Sequence, residues 1–393
     1  EFDAHWIPPE FRGLHEPVMA TPKDYQSLLI ELLAQPNVCS REWIQRQYDH
    51  EVQGGSTVKL MTGREQDVPN DAVVLRPVLE SNRGLAVAQS LLPSYSVIDT
   101  YAMMAATMDE SVRRLLAVGA TLDEIGGGDN FCWPSIQYDP VSNPDGRYKA
   151  AQLVRANWAL RDICRAYSIP LLSGKDSMYV DGHLAGRFGE RHKVSGLPTM
   201  QFTATGIVPM VRKSLTMEPK IAGDLLYVLG DTANELGGSE YYDLFGHVGL
   251  NAPKLDTGAA LSLYRRVEQA IDSELMASCH GIYRGGIATH AALMAFGGLL
   301  GIRLELGRVP MVGPLRDDQI LFSESCARFL VTVGPDKRED FERLFEALPC
   351  ARVGEIVSEP NLTIVGQAGS TLVNASIASL KAIWKQGTVP TSL

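Results

Sequence analysis

Residues 173–177 read Ser-Gly-Lys-Asp-Ser and follow directly on the apolar run 169–172. A glycine there lets the backbone approach a ligand closely and reach φ > 0. Successive backbone N–H groups in such a stretch form an anion-binding nest. Lys175 can neutralise a phosphate, Asp176 can hold Mg²⁺ and Ser177 can donate a hydrogen bond. The GxxxxGK[ST] spacing of a Walker A loop is absent. On residue types alone the stretch is either a ligand loop or a solvated, charged turn.

GGGDNFCWP (126–134) is the second candidate. Its three glycines allow tight folding around a ligand, and Asp129 suits a metal or an adenine amino group; the same residues also make an ordinary turn. In GGSEYY (237–242), Ser239 reads as a helix N-cap and Glu240 as a polar residue behind it. Cys279 and His280 are adjacent in SCHGIYRGG (278–286), but neighbours in a chain seldom face each other, which argues against a catalytic dyad. His50 reads as a structural hydrogen-bonder. The Ser-Glu-Ser of LFSESCARF (321–329) reads as a cap or a bulge before a strand.

These segments need elements to hold them. The 393 residues are too many for one ordinary core and suit two domains. A helix is expected over 24–36 and another from Ser40, as N-cap, to Tyr48. STVKLM, DAVVLRP and GLAVAQSL read as strands, Thr100–Val118 as a helix closed by Gly119, Gly146–Tyr167 as a helix, and Ile169–Leu172 as a strand ending in the loop 173–177. Residues 199–210 close this first unit. The pattern restarts after Arg212–Gly223 with a strand at 224–230, helices near 257–278, 287–298 and 336–346, and strands near 301–306 and 328–334. The alternating strands predict an α+β fold, a mixed sandwich with helices on one side of each sheet. Residues 1–20, rich in Pro and aromatics, read as a linker.

The net charge of −10 argues against a non-specific nucleic-acid binder. No apolar run reaches the ~20 residues that span a bilayer. Six scattered cysteines without a CxxC pair predict reduced thiols and a cytoplasmic protein. The first residues lack signal-peptide character and an initiator Met, so the chain is expected to be processed or cut from something longer.

Taken together, REWIQRQYDHEVQGG, DAVVLRP, MDESVRRLLAVGA, GDNFCWP, QLVRANWAL…AYSIPLLSGKDS, LGGSEYY and LFSESCARFLVTV resemble one family, in its order, over about residues 35–366. It is the second half of the synthetase subunit of the phosphoribosylformylglycinamidine (FGAM) synthases, in the aminoimidazole ribonucleotide synthetase superfamily. The resemblance implies an A-type domain over 56–212 and a B-type domain over 213–393, preceded by a linker and N-terminal helices over 1–55. It implies ATP and Mg²⁺ as cofactors, and activation of the amide oxygen of formylglycinamide ribonucleotide as an iminophosphate that ammonia displaces. Asp129, Gly174 and Lys175 would then contact ATP, Asp176 the metal and Ser177 the substrate. Implied partners are the first half of the same synthetase, a glutaminase subunit and a small accessory subunit, with no nucleic acid or membrane.

Two departures follow. The family's catalytic His lies in the first half, and LHEP (14–17) is only superficially like its motif, so no catalytic residue is assigned here and the chain is expected to be inactive alone. The family's HD[IL]SDGG turn reads HGIYRGG, with Gly281 and Arg284 in the acidic places. A non-catalytic nucleotide-binding scaffold and a self-sufficient homodimeric kinase or synthetase are the alternatives. The isolated chain is expected to homodimerise through its A-type domain.

Overall fold

The computed structural model describes residues 3–47 and 51–387. The first unit contains β1 (Ser56–Val58), β2 (Met61–Thr62), β3 (Val68–Pro69), β4 (Val73–Leu75), β5 (Gly84–Leu91), β6 (Ile125–Trp133), β7 (Leu171–Met178), β8 (Asp181–Ala185), β9 (Arg191–Ser195) and β10 (Thr199–Val208). Six of these make a sheet in the order β1-β4-β5-β10-β6-β7. Along β5 and β10 every second residue is buried, because one face packs on helices and the other does not. The covering helices are α3 (Thr100–Ala117) and α4 (Gly146–Tyr167), after the N-terminal α1 (Tyr25–Ala34) and α2 (Glu42–Gln45). The Asp99 side chain accepts from Tyr101 N at the start of α3, and Gly119 (φ 97°) supplies the left-handed turn just past its end. Helix α4 is the crossover that makes β6 and β7 parallel neighbours.

The second unit contains α5 (Glu240–Asp243), α6 (Thr257–Asp272), α7 (Gly286–Gly298), α8 (Asp317–Phe322), α9 (Arg338–Leu344) and α10 (Ile377–Gln386). Its strands are β11 (Leu225–Leu229), β12 (Ser278–Gly281), β13 (Gly301–Glu305), β14 (Phe329–Val333), β15 (Cys350–Val357), β16 (Asn361–Val365) and β17 (Thr371–Ser376). They form a sheet in the order β12-β14-β11-β15-β13-β16-β17. Here β11 is buried throughout, since Leu225, Tyr227 and Leu229 enter one core while Leu226 and Val228 enter the other. Both faces of this sheet are therefore covered, where helices on one side were expected. The chain is α+β, with two sheet-and-helix units.

The N-terminal segment, expected to be a linker, is packed onto both units. Trp6 stacks on Tyr148 at 5.4 Å, and Arg12 donates to the carbonyls of Val97 and Ile98. Glu16 of the LHEP stretch accepts from Tyr242 Oη at 2.7 Å and Leu250 N at 2.7 Å, which is a structural role. Helix α1 buries Leu29, Leu32 and Leu33 in the second core, beside Trp384 of α10. Helix α2 is a single turn; Ser40 Oγ accepts from Glu42 N, while Tyr48 and His50 lie outside the described residues. Among the described residues no helix is long and apolar enough to cross a membrane.

Candidate nucleotide site at the edge of the first sheet

Both stretches expected as loops are strands. GGGDNFCW lies within β6 and SGKDS within β7, the edge of the sheet. Gly127 serves packing: a Cβ there would fall 2.2 Å from the Phe202 ring of β10, whereas one on Gly128 would meet only the Ser173 carbonyl at 3.6 Å, an ordinary contact. Clustered glycines and charges read as a turn; the signal that could have corrected this is their position on either side of a long crossover helix.

The register places Asp129 abreast of Gly174, Asn130 of Lys175, Phe131 of Asp176 and Cys132 of Ser177. Side chains alternate along a strand, so the candidates divide between two faces. Asp129, Gly174 and Asp176 lie on the face of the buried Phe131, towards α4. Lys175 and Ser177 lie on the open face with Asn130, and Lys175 Nζ hydrogen-bonds Ser177 Oγ. The structure thus brings Asp129, Gly174 and Asp176 together, and separately Lys175 with Ser177. One ligand meets both groups only by wrapping the exposed edge strand.

Gly174 has a specific reason for lacking a side chain. A Cβ there would meet Asp129 Oδ1 at 3.0 Å, so the glycine leaves room for the carboxylate to lean across β7. Partial burial, and then the negative charge of Asp176, push the Asp129 carboxyl above its ordinary range. Burial and the Asp129 charge likewise push the Cys164 thiol of α4 up to about 11. Two carboxylates that repel each other on one face form an oxygen donor set that suits Mg²⁺, which is commonly held by one or two carboxylates plus phosphate. Across the strand, Asn130, the second polar side chain of the GGGDN stretch, has its Oδ1 buried with no hydrogen-bond partner among the described residues.

The other motifs are structural. Ser239 Oγ caps α5 by accepting from Tyr242 N. Cys279 and His280 do not bond each other: burial pushes the thiol well up, and the imidazole turns into a different network. His280 Nδ1 lies 2.8 Å from Asp71 Oδ2 and its Nε2 2.9 Å from His290 Nδ1, while His290 Nε2 faces the Arg284 carbonyl. That carbonyl only accepts, so His290 carries its proton on Nε2 and His280 donates to Nδ1. Burial, followed by the nearby His280 and Arg114, holds the His290 pKa well down. Asp71 also accepts from Gly281 N and Tyr283 Oη, so the altered turn is clamped by an internal carboxylate. Burial alone would raise the Asp71 pKa; His280 and Tyr283 outweigh it and hold the carboxyl low.

Glu324 of the Ser-Glu-Ser stretch was expected only as part of a cap or bulge. It accepts from Gly285 N at 2.8 Å, Glu240 N at 3.0 Å and Tyr95 Oη. Glu240 in turn pairs with Arg284 at 2.6 Å.

Residues 222–367 match the family model described as AIR synthase related protein, C-terminal domain. The chain is 30% identical over 391 residues to the phosphoribosylformylglycinamidine synthase subunit PurL of Alkaliphilus metalliredigens, covering 98% of this chain and 48% of that one. Thermotoga maritima PurL complexed with FGAR superposes with a TM-score of 0.67 at 16% identity, over 92% of this chain and 54% of that one. T. maritima PurL complexed with ATP gives 0.57 at 17% identity, over 86% and 50%. The chain therefore spans about half the length of the PurL subunits to which it is similar, and its residues 222–367 match the AIR synthase related C-terminal domain.

Proposed function

We propose that this chain is the second A–B half of an FGAM synthase synthetase, with residues 56–212 as its A-type and 213–393 as its B-type domain. It supplies one wall of the site where ATP activates the amide of formylglycinamide ribonucleotide for attack by ammonia. The observation that carries the reading is the parallel pairing of β6 with β7, which sets Asp129 over Gly174 on an exposed edge. Lys175 on the open face contacts a phosphate of ATP, and Ser177 beside it reaches the substrate. Asp129 and Asp176 on the other face hold Mg²⁺, which when bound neutralises phosphate charge. Such chemistry depends on charge stabilisation and positioning more than on a protein nucleophile, and no catalytic residue is assigned to this half. The missing half, a glutaminase and a small accessory subunit are its partners, and the cytoplasm its compartment.

The test is ATP binding by calorimetry, with and without Mg²⁺. Lys175→Ala is expected to weaken binding about tenfold or more, the loss of one charge-assisted contact. Asp129→Asn is expected to remove the Mg²⁺ dependence while leaving metal-free binding intact. Equal affinity of Lys175→Ala and the parent chain would refute the assignment.

The open face also predicts self-association of the isolated chain. Leu172 is 68% exposed on β7, an edge strand whose free backbone groups are ready to pair. Light scattering at tens of micromolar is expected to give twice the monomer mass, and Leu172→Asp to return it to monomer. A monomeric parent chain would refute pairing through this face.

A further inference from the structure

Beyond β7 the chain leaves the first sheet as a hairpin, in which β8 and β9 form a two-stranded sheet of their own. Asp181 pairs with Ser195 and His183 with Lys193, so these four side chains share one face. That face is fastened at its root. Asp181 accepts from Ser135 N at 2.8 Å and from Ser195 Oγ at 2.6 Å. Lys193 Nζ donates to the Ser142 carbonyl at 2.9 Å, just before α4 begins. The opposite face, with Leu184, His192 and Val194, therefore looks away from α4, to the side on which Lys175 and Ser177 lie.

Among the described residues nothing covers this second face. Leu184 is 63% exposed, and Phe188 at the tip 88%. A hairpin uncovered on both faces is marginal in water, so its apolar side needs a surface to close on. One lies at its own root, where Tyr179 and Leu197 are half exposed. Gly182 gives the arm a place to bend. It sits inside β8, where a glycine weakens a strand, yet a Cβ there would meet no atom within 4 Å, so packing does not require it. From Gly182 to Arg187 at the tip is five residues, about 16 Å, and the path back from Gly182 to Lys175 is seven, at most about 23 Å. An arm folded back on β7 leaves a gap that an arginine side chain spans. Arg187 is free to fill it: its guanidinium lies over the Phe188 ring, and no carboxylate pairs with it among the described residues.

We propose that residues 183–193 are a lid on the nucleotide edge, which swings about Gly182 and lays Arg187 on a phosphate bound at Lys175. The lid rests on the assignment of ATP to Lys175. Closing packs Leu184 and Val194 onto Tyr179 and Leu197 and excludes water from the phosphates. Lys193 gives up its exposed bonds to Ser142 and Asn143, and the charge-assisted contact of Arg187 offsets them. Without a phosphate nothing replaces those bonds, so the arm stays open and ATP can enter.

The test is limited digestion of the whole chain by trypsin, with cleavage after Arg187 and Arg191 followed by mass spectrometry, beside calorimetry with Mg-ATP on the same sample. Saturating Mg-ATP is expected to slow cleavage at these bonds about tenfold relative to cleavage elsewhere in the chain, because proteolysis follows the population of the open arm. Arg187→Gln is expected to keep the melting temperature of the free chain, to weaken ATP about fivefold and to lose the protection at Arg191. Gly182→Val, which stiffens the bend, is expected to lose most of that protection at saturating ATP. ATP that binds without slowing cleavage would overturn the lid and leave the ATP assignment standing; no heat with ATP would remove both. Protection that follows chain concentration instead of ATP would place a second copy on this face and overturn the lid.

Discussion

Replacing Arg113 by Met is expected to lower the unfolding free energy by about 3–5 kcal/mol, the range for breaking a buried ion pair from one side. Arg113 is 3% exposed and its Nε lies 2.7 Å from Oδ2 of the fully buried Asp109. Burial opposes the guanidinium charge, but Asp109 beside it keeps the group more firmly protonated than usual. The same arginine donates through Nη1 to the carbonyls of Ile282 (2.7 Å) and Arg328 (3.2 Å), which belong to the second unit. Asp109 answers by accepting from Tyr264 Oη and from Ala327 N at 3.2 Å. One turn of α3 thus joins the first sheet's helix layer to the second sheet. Methionine leaves Asp109 without its cation and the Ile282 carbonyl without its arginine donor, while the Arg328 carbonyl keeps the Ile282 N–H at 3.0 Å. Urea unfolding reads the loss, and adding Asp109→Asn to Arg113→Met is expected to return part of it, since the two residues are one network. A loss below about 1 kcal/mol would mean the pair behaves like a surface contact and does not hold the units together.

The second large effect is a pH dependence. Glu324 is fully enclosed, and burial together with the neighbouring Glu240 pushes its carboxyl from 4.5 to about 7, against the pull of Arg284. Glu240 is itself raised by burial, so the two titrate as a pair. A carboxyl that binds its proton more tightly when folded adds stability below its unfolded pKa, and that contribution fades as pH rises through the folded value. Between pH 4.5 and 7 the fading amounts to about 3 kcal/mol. Glu324→Gln imitates the protonated form: its Oε1 still accepts from the backbone of Gly285 and Glu240, and its amide donates to Tyr95. Relative to the parent chain, the variant is expected to gain about 2.5 kcal/mol on moving from pH 5 to pH 8, read by urea unfolding at both values. A difference that does not change with pH would show that Glu324 stays ionised throughout.

The periodic elements were legible. Helix α4 runs over Gly146–Tyr167 as its sequence pattern predicts, and β5 and β10 show the alternation that predicted half-buried strands. What failed was local chemistry read without its neighbours. The glycines of 126–128 signal a turn in isolation, yet Gly127 is bare because Phe202, 75 positions later, lies across it. The charged run 173–177 signals a loop, yet it is a strand whose exposure comes from lying at a sheet edge. The linker reading of residues 1–20 failed because Trp6, Arg12 and Glu16 find partners far along the chain. The Asp71–His280–His290 chain was invisible for the same reason: 209 residues separate its first two members. The candidate residues themselves were found by type, but their division between two faces required the register.

The measurement that bears most directly on the account is ADP release by this chain given Mg-ATP, formylglycinamide ribonucleotide and ammonium, alone and with the first half of a PurL subunit added as a separate chain. No turnover is expected from the chain alone, turnover in the mixture is expected to depend on both substrate and ammonium, and it is expected to be lost when Asp129→Ala replaces the parent chain. Turnover by the chain alone, or an active mixture indifferent to Asp129→Ala, would contradict it.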